Sequence, residues 1–562
     1  MLHFKRFQLK RKTYLPLVLF IIIIFGFISA TFILDKTINK ESVVHAENII
    51  GLNFNDTKRD SLIESMNAHL RNYNNIRESF LSNDIGPSLL FNPIPPGFQI
   101  NSKQNPIDFG RYDNLNLPLN KEDLAWYSIG ELAELIRTKK ISCVELTKFY
   151  LERLKRYSPK LNCVVTFTED YAIKRAEELD KELAAGKYRG WLHGIPYGLK
   201  DLFAVKGYPT TWGAVPYKGQ VVDYNSTVFN KLEAAGGVLL AKLSMGELAM
   251  GDIWFGGMTR NPWDITQGSS GSSAGSACSV SAGLLPFAIG TETWGSIVSP
   301  STICGVTGLR PTFGRISRAG GMALSWSMDK VGPICRTAED CAIILNIIKG
   351  KDNRDPSTVY APLNYTSKLN VKNLRVGYLK LNFEKNYDLK DNDSITLLKL
   401  KDLGFNLVSV EFKPDVPLQD MSIILEAEAG AAFDLLTRNG DDDKMVKQTK
   451  DSWPNIFRAS RFIPAVEYIN ANRLRTKLIR QVNDIMQKFD VLVVPSLEDD
   501  SQLLFNLTGH PCITFPNGFT PKGMPTSITF VGNLYEEGVI VSAANQFQLA
   551  TNFNKNHPSL KW

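Results

Sequence analysis

Gly268–Gly283 reads GSSGSSAGSACSVSAG, and in its first nine positions only Ala274 is neither glycine nor serine. Such a run lets backbone approach a ligand closely and can aim several N–H groups at an anion. Two plain readings compete, a flexible linker and a phosphate loop. Both weaken against the neighbouring residues. The chain continues directly into the apolar segment Ala282–Ile289, which a linker would not feed, and there is no Gly-Lys-Ser/Thr of the kind a Walker-type loop requires.

On either side the pattern is α/β. Ser226–Ala235 reads as a helix closed by Gly236 and Gly237, and Val238–Leu243 as a buried strand. Asp490–Val494 reads as another strand, after a long helix ending near Lys488 and before Pro495. Further back, Ser128 with Glu131 and Ser142 with Glu145 are S-x-x-E capping boxes that open two successive amphipathic helices. A third helix is expected over Glu169–Ala185, ahead of Gly186. Residues 83–119 are rich in Pro, Asn and Gly and should run extended over the surface, whereas 57–82 repeats Leu62, Met66, Leu70, Ile76 and Phe80 at helical spacing. The polar stretch 35–56 reads as a linker. No internal repeat is present.

With 562 residues, 44% hydrophobic and 22% charged, the chain is neither a disordered polymer nor a small disulfide-stapled module. Five of its formal +7 charges, Lys5, Arg6, Lys10, Arg11 and Lys12, lie in the first twelve residues, which leaves +2 for the rest. No nucleic-acid-binding surface can be inferred from so neutral a body. The basic cluster precedes Tyr14–Leu34, 21 residues without a charge, long enough to cross a bilayer as a helix and oriented with its start in the cytoplasm. Everything from Asp35 onward is then expected outside the cytoplasm, membrane-anchored if the segment is kept. If it is cleaved, after small residues at Ser29 and Ala30 or at Ala46, the protein is secreted or periplasmic. Both alternatives stay open. The cysteines, Cys143, Cys163, Cys278, Cys304, Cys335, Cys341 and Cys512, are odd in number and contain no C-x-x-C pair, so they point to neither a metal site nor a disulfide framework.

Two more clusters flank the Gly/Ser run. Gly290–Pro300, GTETWGSIVSP, is a hydroxyl-rich turn with a glycine before Ser296; Gly194–Asp201, GIPYGLKD, places Lys200 after an apolar stretch. Each alone is weak, since a lone serine is usually a turn former and a lone lysine is usually solvated. Of six histidines only His193 and His510 lie in well-patterned regions, and no H-E-x-x-H occurs, so a serine nucleophile here would need another base. Lysine is the obvious one. His193, His510, Trp254, Trp263 and Trp326 read as structural residues, with some of the tryptophans available to line a substrate funnel.

Together these clusters resemble the amidase signature family, serine hydrolases with a Ser-cisSer-Lys triad. Gly194-Ile-Pro with Lys200-Asp201, the Gly/Ser run, the Gly-Ser-Ile turn and Cys304-Gly-Val-x-Gly-Leu-Arg-Pro311 occur in family order, and the resemblance runs from about Leu124 to the end. It implies Lys200 as the catalytic base, Ser272 as the bridging serine behind a cis peptide bond, and Ser296 as the nucleophile. It implies an oxyanion hole from the backbone of Thr293, Trp294, Gly295 and Ser296, and an α/β fold with a large mixed β-sheet covered by helices on both faces. The expected organisation is an N-terminal transmembrane or signal segment over 1–34, a linker, helix and extended arm over 35–120, and a catalytic domain over 121–562. Three positions depart from many relatives, which have Asp at Glu292, Gly at Trp294 and Arg at Val298. Trp294 would either narrow the site or pack on a neighbouring helix.

The chemistry sets one further condition. Ser272 can both donate and accept, and so can pass the Ser296 proton to Lys200 only if that lysine is neutral at working pH. Burial beside Leu199 and Leu202 would lower its pKa from about 10.4, and an inward Asp201 would raise it, so Asp201 is expected to face away or bond to backbone. The implied function is hydrolysis of a small-molecule or peptide amide to acid plus ammonia or amine through an acyl-serine, with no cofactor or metal and no nucleic-acid partner. The alternatives are a glutaminase like the A subunit of an amidotransferase and a non-catalytic surface scaffold.

Overall fold

The computed structural model describes residues 37–561. The basic cluster and Tyr14–Leu34 lie outside those residues. Among the described residues no helix is long and apolar enough to cross a membrane. The chain divides into two compact units, one ending at Leu81 and one beginning at Ser82.

In the first unit, helices α1 (Lys40–Ile50) and α2 (Asp56–Glu78) stand where a linker and a single helix were expected. The correction at 40–50 has a local cause. Asn39 accepts the Ser42 N–H at 2.9 Å, capping a helix whose Val43 turns inward. Arg59 of α2 then pairs with Glu47 of α1 at 2.7 Å.

The second unit is built on one sheet of eleven strands: β1 (Val164–Phe167), β2 (Pro196–Lys200), β3 (Val238–Leu243), β4 (Phe287–Glu292), β5 (Thr307–Arg310), β6 (Lys330–Cys335), β7 (Val376–Leu379), β8 (Leu407–Val410), β9 (Val491–Pro495), β10 (Cys512–Phe519) and β11 (Pro525–Gly532). Their spatial order is β1-β3-β2-β4-β6-β5-β10-β11-β9-β7-β8. Strand β2 is parallel to β3 and β4, and β7 to β8 and β9, while the remaining pairs are antiparallel, which makes the sheet mixed. Strands β2, β3 and β9 carry an unbroken buried run rather than an alternating one, as strands covered on both faces do.

Helix α3 (Ile129–Arg137) and helix α4 (Cys143–Leu161) both open with the expected capping boxes: Ser128 Oγ accepts the Glu131 N–H at 3.2 Å and Ser142 Oγ that of Glu145 at 3.1 Å. Helix α5 (Glu169–Ala184) comes next as expected, and α6 (Thr227–Ala234) leads into β3. Helices α7 (Ala274–Ser281) and α8 (Val298–Cys304) cover one face of the sheet, and α9 (Ala338–Ile348) covers the other. The alternation along β6 separates them: Gly332 looks onto Ile297 beside α8, whereas the Cys335 thiol meets Cys341 of α9. Helices α10 (Ala465–Met486), α11 (Asp499–Thr508) and α12 (Glu537–Thr551) are among those that form the rest of the shell. All seven cysteines are free and buried.

Candidate active site

Because β2, β3 and β4 are parallel, their carboxyl ends lie at one edge, where open α/β sheets bind ligands. Lys200 is the last residue of β2, and Thr291 and Glu292 end β4. The Gly/Ser run reaches the same edge from the other side. Its Gly271–Ser272 bond is cis, and Gly271 lies so close to the Gly251 carbonyl that any Cβ there would strike the oxygen.

The Lys200 amine is fully buried. Its Nζ lies 2.8 Å from Ser272 Oγ, 2.9 Å from Thr291 Oγ1 and 3.1 Å from Ser273 Oγ. Burial pulls its pKa from 10.5 down to about 7, against the raising influence of Asp329 and then Glu292. Asp201 does not add to that influence from the inward side. Neighbouring residues on a strand point to opposite faces, and Asp201 accepts the backbone N–H and the hydroxyl of Thr211 and pairs with buried Lys242 at 2.9 Å. Asp201, fully buried, thus bonds to backbone as one of its two expected dispositions, and Lys242 is a partner the residue pattern had not supplied.

Ser296 approaches from the turn between β4 and α8. The Ser273 N–H donates to the Ser296 carbonyl at 3.2 Å, which brings the serine-bearing loops together. Ser296 is 7% exposed, whereas Lys200 and Ser272 are fully enclosed. Gly295 takes φ +81°, a left-handed conformation open to glycine, and turns the chain so that α8 can start. Among the described residues no acceptor takes the backbone N–H of Trp294, Gly295 or Ser296. Three donors beside a serine hydroxyl are a ready anion site.

Glu292 braces that turn. Its Oε2 accepts the N–H groups of Ile297 and Val298 at 2.8 and 2.9 Å. Its Oε1 accepts from Arg310 at 2.7 Å and from Asn506 at 2.9 Å. Although burial opposes ionisation, Arg310 and these donors prevail and hold the carboxyl down at about 2. On the other side Thr293 Oγ1 donates to Asp329 at 2.6 Å. Trp294 packs on a second apolar cluster that contains Val298, Met328, Leu478 and Leu504, so of its two expected roles it takes the packing one.

Residue types alone did not single out Ser273, Thr291, Asp329 or Asn506. The first two sit one and five residues from expected site serines and complete the hydrogen bonds of Lys200. His193 bonds the Leu179 carbonyl at 3.0 Å and His510 the Thr508 hydroxyl at 2.9 Å, both as structural residues. Trp263 donates to the Cys304 carbonyl at 2.9 Å. Among the described residues no cluster of His, Cys, Asp or Glu could hold a metal ion.

A cavity of about 340 Å³ opens next to Thr291 and Thr293. This is the size range of small-molecule sites, about 300–1,000 Å³.

Comparison with known proteins gives concordant matches. The Amidase family model matches residues 145–503. The A subunit of the glutamyl-tRNA(Gln) amidotransferase of Coxiella burnetii is 32% identical over 483 residues, covering 77% of this chain and 99% of that protein. Its counterpart of the same name in Acinetobacter baumannii is 33% identical over 490 residues, covering 78% and 99%. Among solved structures, the native peptide amidase of Stenotrophomonas maltophilia superposes with a TM-score of 0.69 at 28% identity, covering 77% of this chain and 99% of that one.

Proposed function

The chain belongs to the amidase family and is an amide-hydrolysing enzyme, and on that premise we propose that Ser296 is its nucleophile, Ser272 the proton relay and Lys200 the base. The observation that carries the assignment is a fully buried amine, pulled to about 7, lying 2.8 Å from Ser272 Oγ. A neutral Lys200 takes the Ser272 proton while Ser272 Oγ takes that of Ser296, and the freed Ser296 oxygen attacks the amide carbon. The N–H groups of Trp294, Gly295 and Ser296 hold the resulting oxyanion. As the C–N bond breaks, the proton returns from Lys200 through Ser272 to the departing nitrogen, releasing ammonia or amine. Water then attacks the acyl-Ser296 by the same relay and releases the acid. Labelling by a fluorophosphonate, abolished in Ser296→Ala and slowed in Ser272→Ala and in Lys200→Ala, tests the three roles together; equal labelling of wild type and Ser296→Ala would overturn them.

A second reading is favoured by the relatives named as amidotransferase A subunits, of which this chain covers nearly the full length. It makes glutamine the amide and a second, acceptor-binding protein the partner. Ammonia release over a panel of glutamine and of aliphatic, aromatic and peptide amides separates the two readings: turnover confined to glutamine supports the second. The basic cluster and Tyr14–Leu34 support a catalytic domain outside the cytoplasm, where a tRNA partner is absent. Fusing residues 1–47 to a reporter active only outside the cytoplasm tests this, and a silent reporter would remove it.

A further inference from the structure

The cavity beside Thr291 and Thr293 has a wall that does not come from the family match. Asn83, Asp84, Gly86, Pro87, Leu89 and Leu90 of the extended arm line it, and the arm lies wholly ahead of residue 145, where that match begins. This wall is fastened. The Asn83 side chain donates to the Ala323 carbonyl at 2.8 Å and accepts the Ala323 N–H at 2.6 Å, closing the arm onto the loop after Gly320. The backbone at Gly86 lies on the Trp326 indole, where a Cβ would stand 3.0 Å from Cδ1. Beyond it, Phe91 is stacked under the buried Arg475 guanidinium at 3.5 Å and meets Phe313 edge-on at 4.9 Å.

The chemistry of the wall is apolar. Leu89, Leu90, Leu202, Phe203, Tyr224 and Trp326 line it. The enclosed charged groups of the wall are engaged within the protein: Arg318 with Asp355 at 3.2 Å and with the Trp326 carbonyl at 2.5 Å, and Lys330 with the Met328 carbonyl, while Asp84, bonded by the Ser82 hydroxyl, and the half-exposed Arg354 stand toward solvent. Asp329 accepts from Thr293 and from the N–H groups of Leu324 and Ser325. An occupant with a charge of its own would find the enclosed groups already engaged and lose its hydration there without return. At the mouth, Leu89 and Leu90 are 77% and 52% exposed, a grouping of apolar surface that a rim otherwise avoids.

We propose that this cavity receives an uncharged apolar group attached to the scissile amide, and that the arm residues Leu89 and Leu90 set the preference for it. The inference deepens the proposed function and rests on Ser296 as nucleophile; Thr291, which accepts from Lys200 at 2.9 Å, is the point where cavity and reacting groups join. The apolar group can belong to the acyl side or to the amine side, and the test separates them.

Two series of amides are compared by kcat/KM on the full chain: anilides of lengthening fatty acids, and acetamides of lengthening alkylamines. In the wild type kcat/KM rises with chain length in one series, and that series names the side that enters the cavity. In Leu90→Asp on the arm, and independently in Tyr224→Asp on the facing loop, the ratio of the longest to the shortest member falls about tenfold in that same series, the scale of discrimination an apolar pocket provides. Flat wild-type series, or ratios in both variants equal to wild type, overturn the proposal. Fluorophosphonate labelling of Ser296 in the wild type keeps the two levels apart: absent labelling sinks the nucleophile assignment itself, whereas labelling with flat series sinks the cavity alone.

Discussion

A buried lysine that must be neutral to act leaves a signature in pH. Lys200 falls from 10.5 to about 7 through burial, so the acylation rate should climb tenfold per unit below about pH 7 and level off above it, as a stopped-flow fluorophosphonate profile would record. Stability carries the same group with a definite sign. Between about 7 and 10.5 the unfolded chain holds a proton on this lysine that the folded one lacks, so stability contributed through Lys200 rises with pH across that window. Lys200→Met should remove that rise in urea titrations. Its neighbour pair, Lys242 with Asp201 at 2.9 Å, is a fully enclosed ion pair. Lys242→Met should lower stability by about 3–5 kcal/mol, because Asp201 is left charged and enclosed, and adding Asp201→Asn should recover most of the loss. Lys200, Ser272 and Ser296 were assigned through the family resemblance of three runs taken together, each weak alone. Ser273 and Thr291 were not, since a hydroxyl that completes a lysine's hydrogen bonds looks like any turn hydroxyl until the strands place it.

The turn that carries Ser296 is held by elements far apart in the chain: β4 gives Glu292, β5 gives Arg310 and α11 gives Asn506, all meeting at one carboxylate. Glu292→Gln should therefore cost about 3–5 kcal/mol by stranding Arg310 in the interior. It should also lower kcat about 10- to 100-fold with little change in KM, because the turn is displaced and substrate contacts are not. Equal kcat in the variant would show that the turn holds its shape without this brace. The helices were legible wherever a capping box announced them, at Ser128 and Ser142, and the strand Val238–Leu243 wherever apolar residues ran between glycine and polar flanks. Helix α1 was not, since its cap is Asn39 with Ser42 rather than a serine with a glutamate, and its inward residues, Val43 and Glu47, form no apolar stripe.

Over the whole molecule, the arm at 83–119 was legible as extended chain, but not as the wall of a cavity; proline and asparagine content predicts irregular backbone and says nothing of where it docks. Phe91→Ala should free that stretch, so that limited proteolysis cuts within 83–119 at least several-fold faster while the body stays intact. The sheet order was likewise beyond reach of the sequence, because pairing partners such as β5 and β10 are separated by some two hundred residues and share no local mark. Seven unlinked thiols, every one sealed beneath helices or sheet, make the protein its own unfolding gauge. A chromogenic aromatic disulfide should stay colourless over the native enzyme and count seven equivalents in strong urea, and a partial count on the way would tell which layer parts first.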